Sequence, residues 1–203
     1  MRLILASKSP RRIELLRGLG IDFVSVPADV DESPDGVHPD VLPLLLAERK
    51  AAAVAAAHPD HLVLGVDTVV ELEGRVYGKP DSLEMAGDFL ASLSGRRHRV
   101  LSGVCVLRLS DSTCCRFSDC SLVWFKDLSA GDIRAYHRLV DPLDKAGAYA
   151  VQEHGDMIVD RLEGSLDNIV GLPTAKLLET LAHLSAAAGP WASCPRTSAS
   201  SCS

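Results

Sequence analysis

Residues 62–70, LVLGVDTVV, form an apolar run that only Asp67 and Thr68 interrupt. Apolar runs without polar alternation are typical of strands that are covered on both faces. Such strands occur at the centre of sheets that carry helices on both sides. The run is also much shorter than the roughly 18 residues that a membrane-spanning helix requires. We therefore expect the chain to build its core around this strand.

Helix-like and strand-like segments alternate along the rest of the chain. Strand patterns cover residues 2–6, 22–26, 99–109, 121–126, 148–152 and 157–162, and helix patterns cover residues 9–20, 41–58, 82–93, 129–139 and 173–187. A hairpin turn is expected at Glu73-Gly74, and a loop over 28–39. This order predicts an α/β fold with a single mixed central sheet and flanking helices.

Composition limits the class of protein. Hydrophobic residues make up 47% of the 203 residues and charged residues 24%, as in ordinary globular proteins. We expect one domain over 1–188, and a disordered tail over the serine-rich residues 189–203. The formal charge of −6 argues against a nucleic-acid partner but not against a small phosphate ligand. The apolar stretch at 3–6 is too short for a signal peptide, so no membrane partner and a cytoplasmic location are expected.

The first candidate site is the stretch SKSPRR at residues 7–12. Ser9 and Pro10 are typical of a helix start, which leaves free backbone N–H groups facing one point. The Ser7 and Ser9 hydroxyls and the guanidinium groups of Arg11 and Arg12 could bind phosphate oxygens there. An ordinary helix cap beside surface arginines explains the stretch equally well, since it is not a Walker loop.

The second candidate is Asp67, in the buried strand. Ligands of α/β sheets gather beyond the carboxyl ends of strands. A buried aspartate is costly unless it binds a metal, accepts hydrogen bonds or acts as a base. The alternative is a solvated acid that caps a turn. Asp31 and Glu32 offer further carboxylates for a hard divalent cation, although such pairs are common in loops.

Other polar residues give weaker signals. Lys50, Lys79 and Lys145 stand near turn residues and could reach a phosphate, but a lone lysine is more often solvated surface. The stretch SGRRH at 94–98 could touch phosphate or form an exposed polar turn. The chain has no GxSxG elbow and no CxxC pair, which favours direct attack by water over covalent catalysis and argues against a zinc site.

Taken together, these stretches resemble the Maf family of nucleotide pyrophosphatases. They follow in family order across about residues 3–182, as LASKSPRR at 5–12, Glu32, LAERKA at 46–51, GVDTVV at 65–70, GKP at 78–80, SGRRHRV at 94–100, DKAGAYAVQ at 144–152 and GSLDNIVGLP at 164–173. The resemblance implies two lobes around a cleft, as in the inosine-triphosphate pyrophosphatases. It implies hydrolysis of a nucleoside triphosphate to its monophosphate and pyrophosphate, with Mg²⁺ or Mn²⁺ as cofactor.

The resemblance also implies roles for individual residues. Asp67 would accept a proton from the attacking water, and Glu32 and Asp67 would hold the metal. The residues expected to bind the substrate are Ser7, Ser9, Arg11, Arg12, Lys50, Thr68, Lys79, Lys145 and Gln152.

Three of these positions, Arg11, Thr68 and Gln152, match the family branch that prefers dTTP and UTP. Modified pyrimidine nucleotides are further candidate substrates. The Gln152 amide offers a donor and an acceptor to a base edge, although it could be a plain surface amide. Glu153 departs from the family, where glycine commonly follows the glutamine. This departure weakens the assignment of the nucleotide base that the enzyme prefers. The alternatives are a 7-methyl-GTP or inosine triphosphate pyrophosphatase, or a non-catalytic nucleotide-binding regulator of septum formation. A homodimer is left open.

Overall fold

The computed structural model of the protein describes residues 2–33 and 36–186, so the predicted tail at 189–203 lies outside the described residues. The strands are β1 (Leu3–Leu5), β2 (Phe23–Ser25), β3 (Val63–Leu72), β4 (Arg75–Tyr77), β5 (Arg97–Arg108), β6 (Thr113–Phe125) and β7 (Val159–Glu163). The helices are α1 (Pro10–Gly18), α2 (Leu42–Ala57), α3 (Leu83–Leu93), α4 (Ala130–His137), α5 (Leu166–Val170) and α6 (Thr174–Ala186). Two 3-10 turns cover Ala146–Ala148 and Gly155–Met157.

The strands form one mixed sheet in the order β2-β1-β3-β5-β6-β7, and β4 pairs with β3. Strand β1 is parallel to β2 and β3, whereas the β3–β4 and β6–β7 pairs are antiparallel. Every residue of β3 except Thr68 is buried, as the apolar run predicts. The prediction of an α/β fold with a mixed central sheet is confirmed, and the cleft between two lobes stays a prediction.

The described residues pack into two compact units, and strands β3, β5 and β6 each contribute to both. Of the described residues, the first unit takes those up to Asp67, Ser102–Asp119 and 171–186, and the second takes Thr68–Leu101 and Cys120–Val170. Each unit has its own apolar core. Within residues 2–33 and 36–186, no helix combines the length and the apolar character that crossing a membrane requires.

Within the first unit, helix α2 lies directly on strand β3. Ala47, Ala51 and Ala55 are fully buried and share one face of the helix, because residues four apart in sequence align along it. A Cβ atom at Gly65 would lie 2.1 Å from the Ala47 carbonyl oxygen and 2.8 Å from the Ala51 amide nitrogen. The alanine-rich helix and the strand glycine therefore permit a backbone contact that larger side chains would prevent.

The prediction of a strand over 148–152 is wrong. Gly147 and Ala148 have φ values of 68° and 63°, so the backbone turns in the left-handed region instead of extending. A 3-10 turn occupies Ala146–Ala148, and residues 151–154 form a further turn. The sequence AYAVQ looks like a strand because its apolar residues pack into the core of the second unit. That burial needs no neighbouring strand.

The contact between α2 and β3 makes Gly65 sensitive to substitution. We expect Gly65→Ala to lower the free energy of unfolding by about 1–3 kcal/mol or more, since the added methyl group overlaps helix backbone that cannot rotate away. Gly87→Ala is the control, because Gly87 lies in α3 and a Cβ atom added there would have no heavy atom within 4 Å. That change should be neutral or stabilise by about 0.5–1 kcal/mol. Urea denaturation of both variants checks the expectation, and a loss below about 1 kcal/mol for Gly65→Ala would contradict it.

Candidate active site

A buried lysine binds two carboxylates in the first unit. The Lys50 Nζ atom lies 2.7 Å from Asp67 Oδ1 and 2.9 Å from Glu32 Oε1. The Lys50 and Asp67 side chains are only 8% and 9% exposed, whereas that of Glu32 is 53% exposed. Helix α2 supplies the lysine, strand β3 the aspartate and the segment after β2 the glutamate. The interpretations of Lys50 as a surface lysine and of Asp67 as a solvated acid are therefore excluded.

Arg12 adds a second cation beside Asp67. Its Nε atom donates to the Gly171 carbonyl oxygen at 2.9 Å, and a terminal nitrogen lies 3.4 Å from the Ser7 hydroxyl oxygen. The guanidinium group acts electrostatically on Asp67 and partly offsets the rise that burial causes in the pKa of that carboxyl. Burial lowers the pKa of Arg12 itself, but an arginine stays charged at neutral pH. Arg12 of the SKSPRR stretch thus belongs to the carboxylate site.

The start of α1 follows the sequence prediction in position. Ser9 is the N-cap residue and Pro10 begins the helix, but the Ser9 side chain makes no capping hydrogen bond. The Ser9 backbone N–H donates instead to the Ser7 hydroxyl at 3.2 Å. Arg11 is half-buried and close enough to Arg12 to lower the pKa of that residue. Arg12 is therefore the residue of this stretch that links Ser7 and Arg11 to the two acids.

The pKa of Asp67 is raised above its ordinary value of 3.8, chiefly by burial, while Lys50 and Arg12 act in the opposite direction. Protonated Asp67 therefore contributes stability below about pH 3.8, and this contribution is lost as pH rises through the higher folded-state pKa. A buried carboxylate with a raised pKa between two cations has the properties of a general base.

The donor set fits a divalent cation that is shared with a ligand. Glu32 and Asp67 are two carboxylates held around one ammonium group. Among residues 2–33 and 36–186, no group of three or more histidine, cysteine or acidic side chains is placed to hold a metal. Mg²⁺ commonly binds through one or two carboxylates and takes its remaining ligands from water and substrate phosphates. The two acids meet that requirement, and a complete protein cage is not needed.

The other predicted site residues belong to the second unit. Thr68 is half-buried in β3, next in sequence to Asp67. Lys79 is exposed after β4, and Gln152 is exposed in the turn at 151–154. All three can meet a ligand from solvent, and the alternative of a surface amide for Gln152 stays open on this geometry.

Lys145 is the exception, because it is buried. Its ammonium group donates to the Asp141 carbonyl oxygen at 2.8 Å and to Asp144 Oδ1 at 2.7 Å. It also lies 3.4 Å from Glu153 Oε1. The Lys145 ammonium group therefore has three partners within the second unit, two through hydrogen bonds and one through an ion pair, and the ion-pair partner is the glutamate that departs from the family pattern.

The histidine of the SGRRH stretch belongs to the core of the second unit. His98 is 1% exposed, its ring packs edge-on against those of Phe125 and Tyr149, and its Nε2 atom lies 2.9 Å from the Tyr149 hydroxyl oxygen. Burial lowers the pKa of His98 to about 3, so the ring is neutral at physiological pH. Arg96 pairs with Glu73. The suggestion that this histidine touches phosphate is therefore wrong.

Sequence reasoning missed two residues that hold site residues in place. The Gly171 carbonyl accepts from Arg12, and Gly171 has a φ of 125°. Glycine in the stretch NIVGLP could have signalled this unusual backbone. Tyr136 in α4 bonds to the segment before Gln152. No sequence signal marks Tyr136, because a buried tyrosine in a helix is most simply a core residue.

The fold and this site define an α/β protein with a buried carboxyl beside cationic side chains, and comparison with known proteins gives its family. A family model described as Maf-like protein matches residues 2–184, so the chain belongs to the Maf family, as the resemblance predicts. Relatives from Moorella thermoacetica, Pelotomaculum thermopropionicum and Akkermansia muciniphila are named dTTP/UTP pyrophosphatase. The first is 46% identical over 182 residues, which is 89% of this chain and 94% of the relative. The other two are each 44% identical over 88% of this chain and 94% of the relative.

The position of Lys50 predicts how Asp67 titrates. In Lys50→Met, the pKa of Asp67 should rise further, because the cation that favours the carboxylate is gone. The variant should therefore lose more stability at high pH, where Asp67 has lost its proton and the missing cation is felt, than at low pH, where Asp67 is protonated.

The pKa is measured by ¹³C NMR of the aspartate carboxyls, and stability by urea denaturation at high and at low pH. Lys8→Met is the matched control, since it makes the same change at an exposed lysine. An unchanged or lowered pKa of Asp67 in Lys50→Met would show that the two groups are not coupled.

Proposed function

We propose that this protein hydrolyses dTTP and UTP to the corresponding monophosphate and pyrophosphate. The observation that carries the proposal is the contact of 2.7 Å between Lys50 and the buried Asp67, with Glu32 on the same ammonium group. A reactive carboxylate beside fixed cations suits hydrolysis of a polyanion. The relatives named dTTP/UTP pyrophosphatase supply the substrate class.

In the proposed reaction, Asp67 takes a proton from a water molecule, and the water oxygen attacks the α-phosphorus. The bond between the α-phosphorus and the α–β bridging oxygen breaks, and pyrophosphate departs with the bonding electron pair. Arg11, Lys50 and Lys79 bind the triphosphate and offset its charge, while Ser7, Ser9 and Arg12 support the loop. Chemistry of this kind depends mainly on positioning and on charge stabilisation.

A divalent cation is part of the proposal. Glu32 and Asp67 would hold Mg²⁺ or Mn²⁺, which supplies further neutralisation of the phosphate charge when it is bound. Lys50 keeps both carboxylates close together and limits the repulsion between them. Arg12, held by the Gly171 carbonyl, adds positive charge near Asp67.

We assign base recognition to Gln152, with Thr68 and Arg11 as further specificity residues. The exposed amide of Gln152 can donate to and accept from a pyrimidine edge. Lys145 can bind substrate directly only by exchanging one of its three partners. Its proposed contribution is therefore support of the turn that carries Gln152. The single domain over 1–188, the cytoplasmic location and the homodimer stay predictions.

Removing the proposed base gives the first test of the mechanism. Asp67→Asn keeps the shape of the side chain but cannot accept a proton from water, so kcat should fall by about 10²-fold or more. Asp60→Asn is the control, because Asp60 is exposed in the turn after α2. Pyrophosphate release is assayed for both variants, and thermal unfolding confirms that each is folded. Near-normal turnover of a folded Asp67→Asn protein would remove Asp67 from the mechanism.

A nucleotide panel tests the substrate. With Mg²⁺ or Mn²⁺, kcat/KM for dTTP and UTP should exceed that for 7-methyl-GTP and inosine triphosphate by about tenfold or more, equivalent to about 1.4 kcal/mol of discrimination. Both products are detected, so that pyrophosphate release is distinguished from release of single phosphates. Preference for either purine nucleotide would support the corresponding alternative enzyme. Tight nucleotide binding without metal-dependent turnover would support the regulator instead.

A further inference from the structure

The segment that leads to Gln152 is held by a tyrosine side chain. Tyr136 in α4 donates its hydroxyl hydrogen to the Ala150 carbonyl oxygen at 3.1 Å, and the Ala150 N–H donates to the same hydroxyl oxygen at 3.0 Å. A hydroxyl group can donate one hydrogen bond and accept two, so one side chain satisfies both backbone groups of Ala150. Tyr136 is fully buried, which shields both bonds from water.

A second anchor follows Gln152 directly. The Glu153 carboxylate lies 3.4 Å from the buried Lys145 ammonium group, and the Glu153 N–H donates to the Ala150 carbonyl at 3.3 Å. Gln152 is therefore exposed between two held residues, Ala150 on one side and Glu153 on the other.

The backbone around Gln152 needs such anchors. Ala148 and His154 both have positive φ, at 63° and 54°, a conformation that residues other than glycine adopt rarely and at a cost in free energy. His137 adds a contact of 3.2 Å between its Nε2 atom and the Ala148 carbonyl oxygen. Helix α4 thus contacts the segment twice, at Ala148 and at Ala150, where a neighbouring strand would otherwise supply ladder bonds.

We propose that Tyr136, assisted by the Lys145–Glu153 pair, is a positioning residue that fixes Gln152 and so sets the base preference of the enzyme. This inference rests on the proposed role of Gln152 in reading a pyrimidine base. Tyr136 acts through the backbone of Ala150 and does not touch the substrate. Burial raises the pKa of Tyr136 to about 12, so the hydroxyl keeps the hydrogen that it donates.

The test removes one oxygen atom. In Tyr136→Phe, the ratio of kcat/KM for dTTP to that for dCTP should fall by about three- to tenfold, the effect expected when one or two modest hydrogen bonds no longer hold the reading residue. The change should appear in KM for dTTP, with kcat within about twofold, and the inhibition constant of inorganic pyrophosphate should stay constant. A general loss of stability would instead lower the activity on both nucleotides together.

Tyr149→Phe is the matched control. Tyr149 lies in the same core, and its hydroxyl also makes a buried hydrogen bond, but its partner is His98. This variant should keep the ratio for dTTP and dCTP while losing a similar amount of thermal stability. Equal falls of the ratio in both variants would overturn the proposal, because the effect would then come from any lost hydroxyl in this core.

Two further variants separate the possible failures. If Gln152→Ala lowers the ratio and Tyr136→Phe lowers it no further in that background, Tyr136 acts through Gln152. If Gln152→Ala lowers the ratio but Tyr136→Phe alone does not, the positioning role is wrong and base reading by Gln152 stands. If Gln152→Ala leaves the ratio unchanged, base reading and positioning both fail, whereas pyrophosphate release still tests the reaction.

Glu153→Gln keeps the proposal testable if Tyr136→Phe does not fold. This change weakens the second anchor at a half-buried residue, so the ratio should fall in the same direction by about two- to threefold. An unchanged ratio in a folded Glu153→Gln protein would overturn the part of the proposal that assigns positioning to the Lys145–Glu153 pair.

Discussion

The contact of 2.7 Å between the Lys50 ammonium group and the buried Asp67 carboxyl is the interaction on which the candidate site of the first unit depends. That contact requires helix α2 to lie close to strand β3, since the lysine reaches down from the helix to a side chain of the strand. The buried alanine face of α2 and the absence of a side chain at Gly65 make the approach possible. The packing of small residues in the core and the placement of the reactive carboxylate are therefore one structural feature.

This arrangement costs stability, and in the proposed reaction it provides the proton acceptor. A buried ion pair commonly contributes less to folding than apolar residues of the same volume would, because both charges lose their hydration. The raised pKa of Asp67 shows that burial outweighs the two neighbouring cations. An aspartate in water has a lower pKa and would be a weaker base. A carboxylate whose charge is fully offset by neighbouring cations would have no affinity for protons near neutral pH. The partly offset charge of Asp67 suits catalysis better than either extreme.

Much of this could be predicted from the sequence, for physical reasons that differ between residues. The apolar run at 62–70 identifies β3, because burial on both faces leaves no room for polar alternation. Lys50 could not be distinguished from Lys79 by composition or spacing, since only the packing of α2 buries one and leaves the other exposed. The error at 148–152 has a similar cause, because apolar residues signal burial but not the left-handed turn at Ala148.

The two parts of the proposed function make opposite demands on the chain, and the two units meet them by different means. A proton acceptor has to be shielded from water, and a central strand with a helix across it provides that shielding with regular backbone. A residue that reads a base has to be exposed, and an exposed turn with positive φ on either side is not rigid by itself. The second unit supplies rigidity through side chains, from the hydroxyl of Tyr136 before Gln152 and from the carboxylate of Glu153 after it. The departure from the family pattern at Glu153 therefore need not weaken recognition by Gln152. Glu153 directly follows Gln152 and pairs with the buried Lys145, so it anchors the chain next to the reading residue.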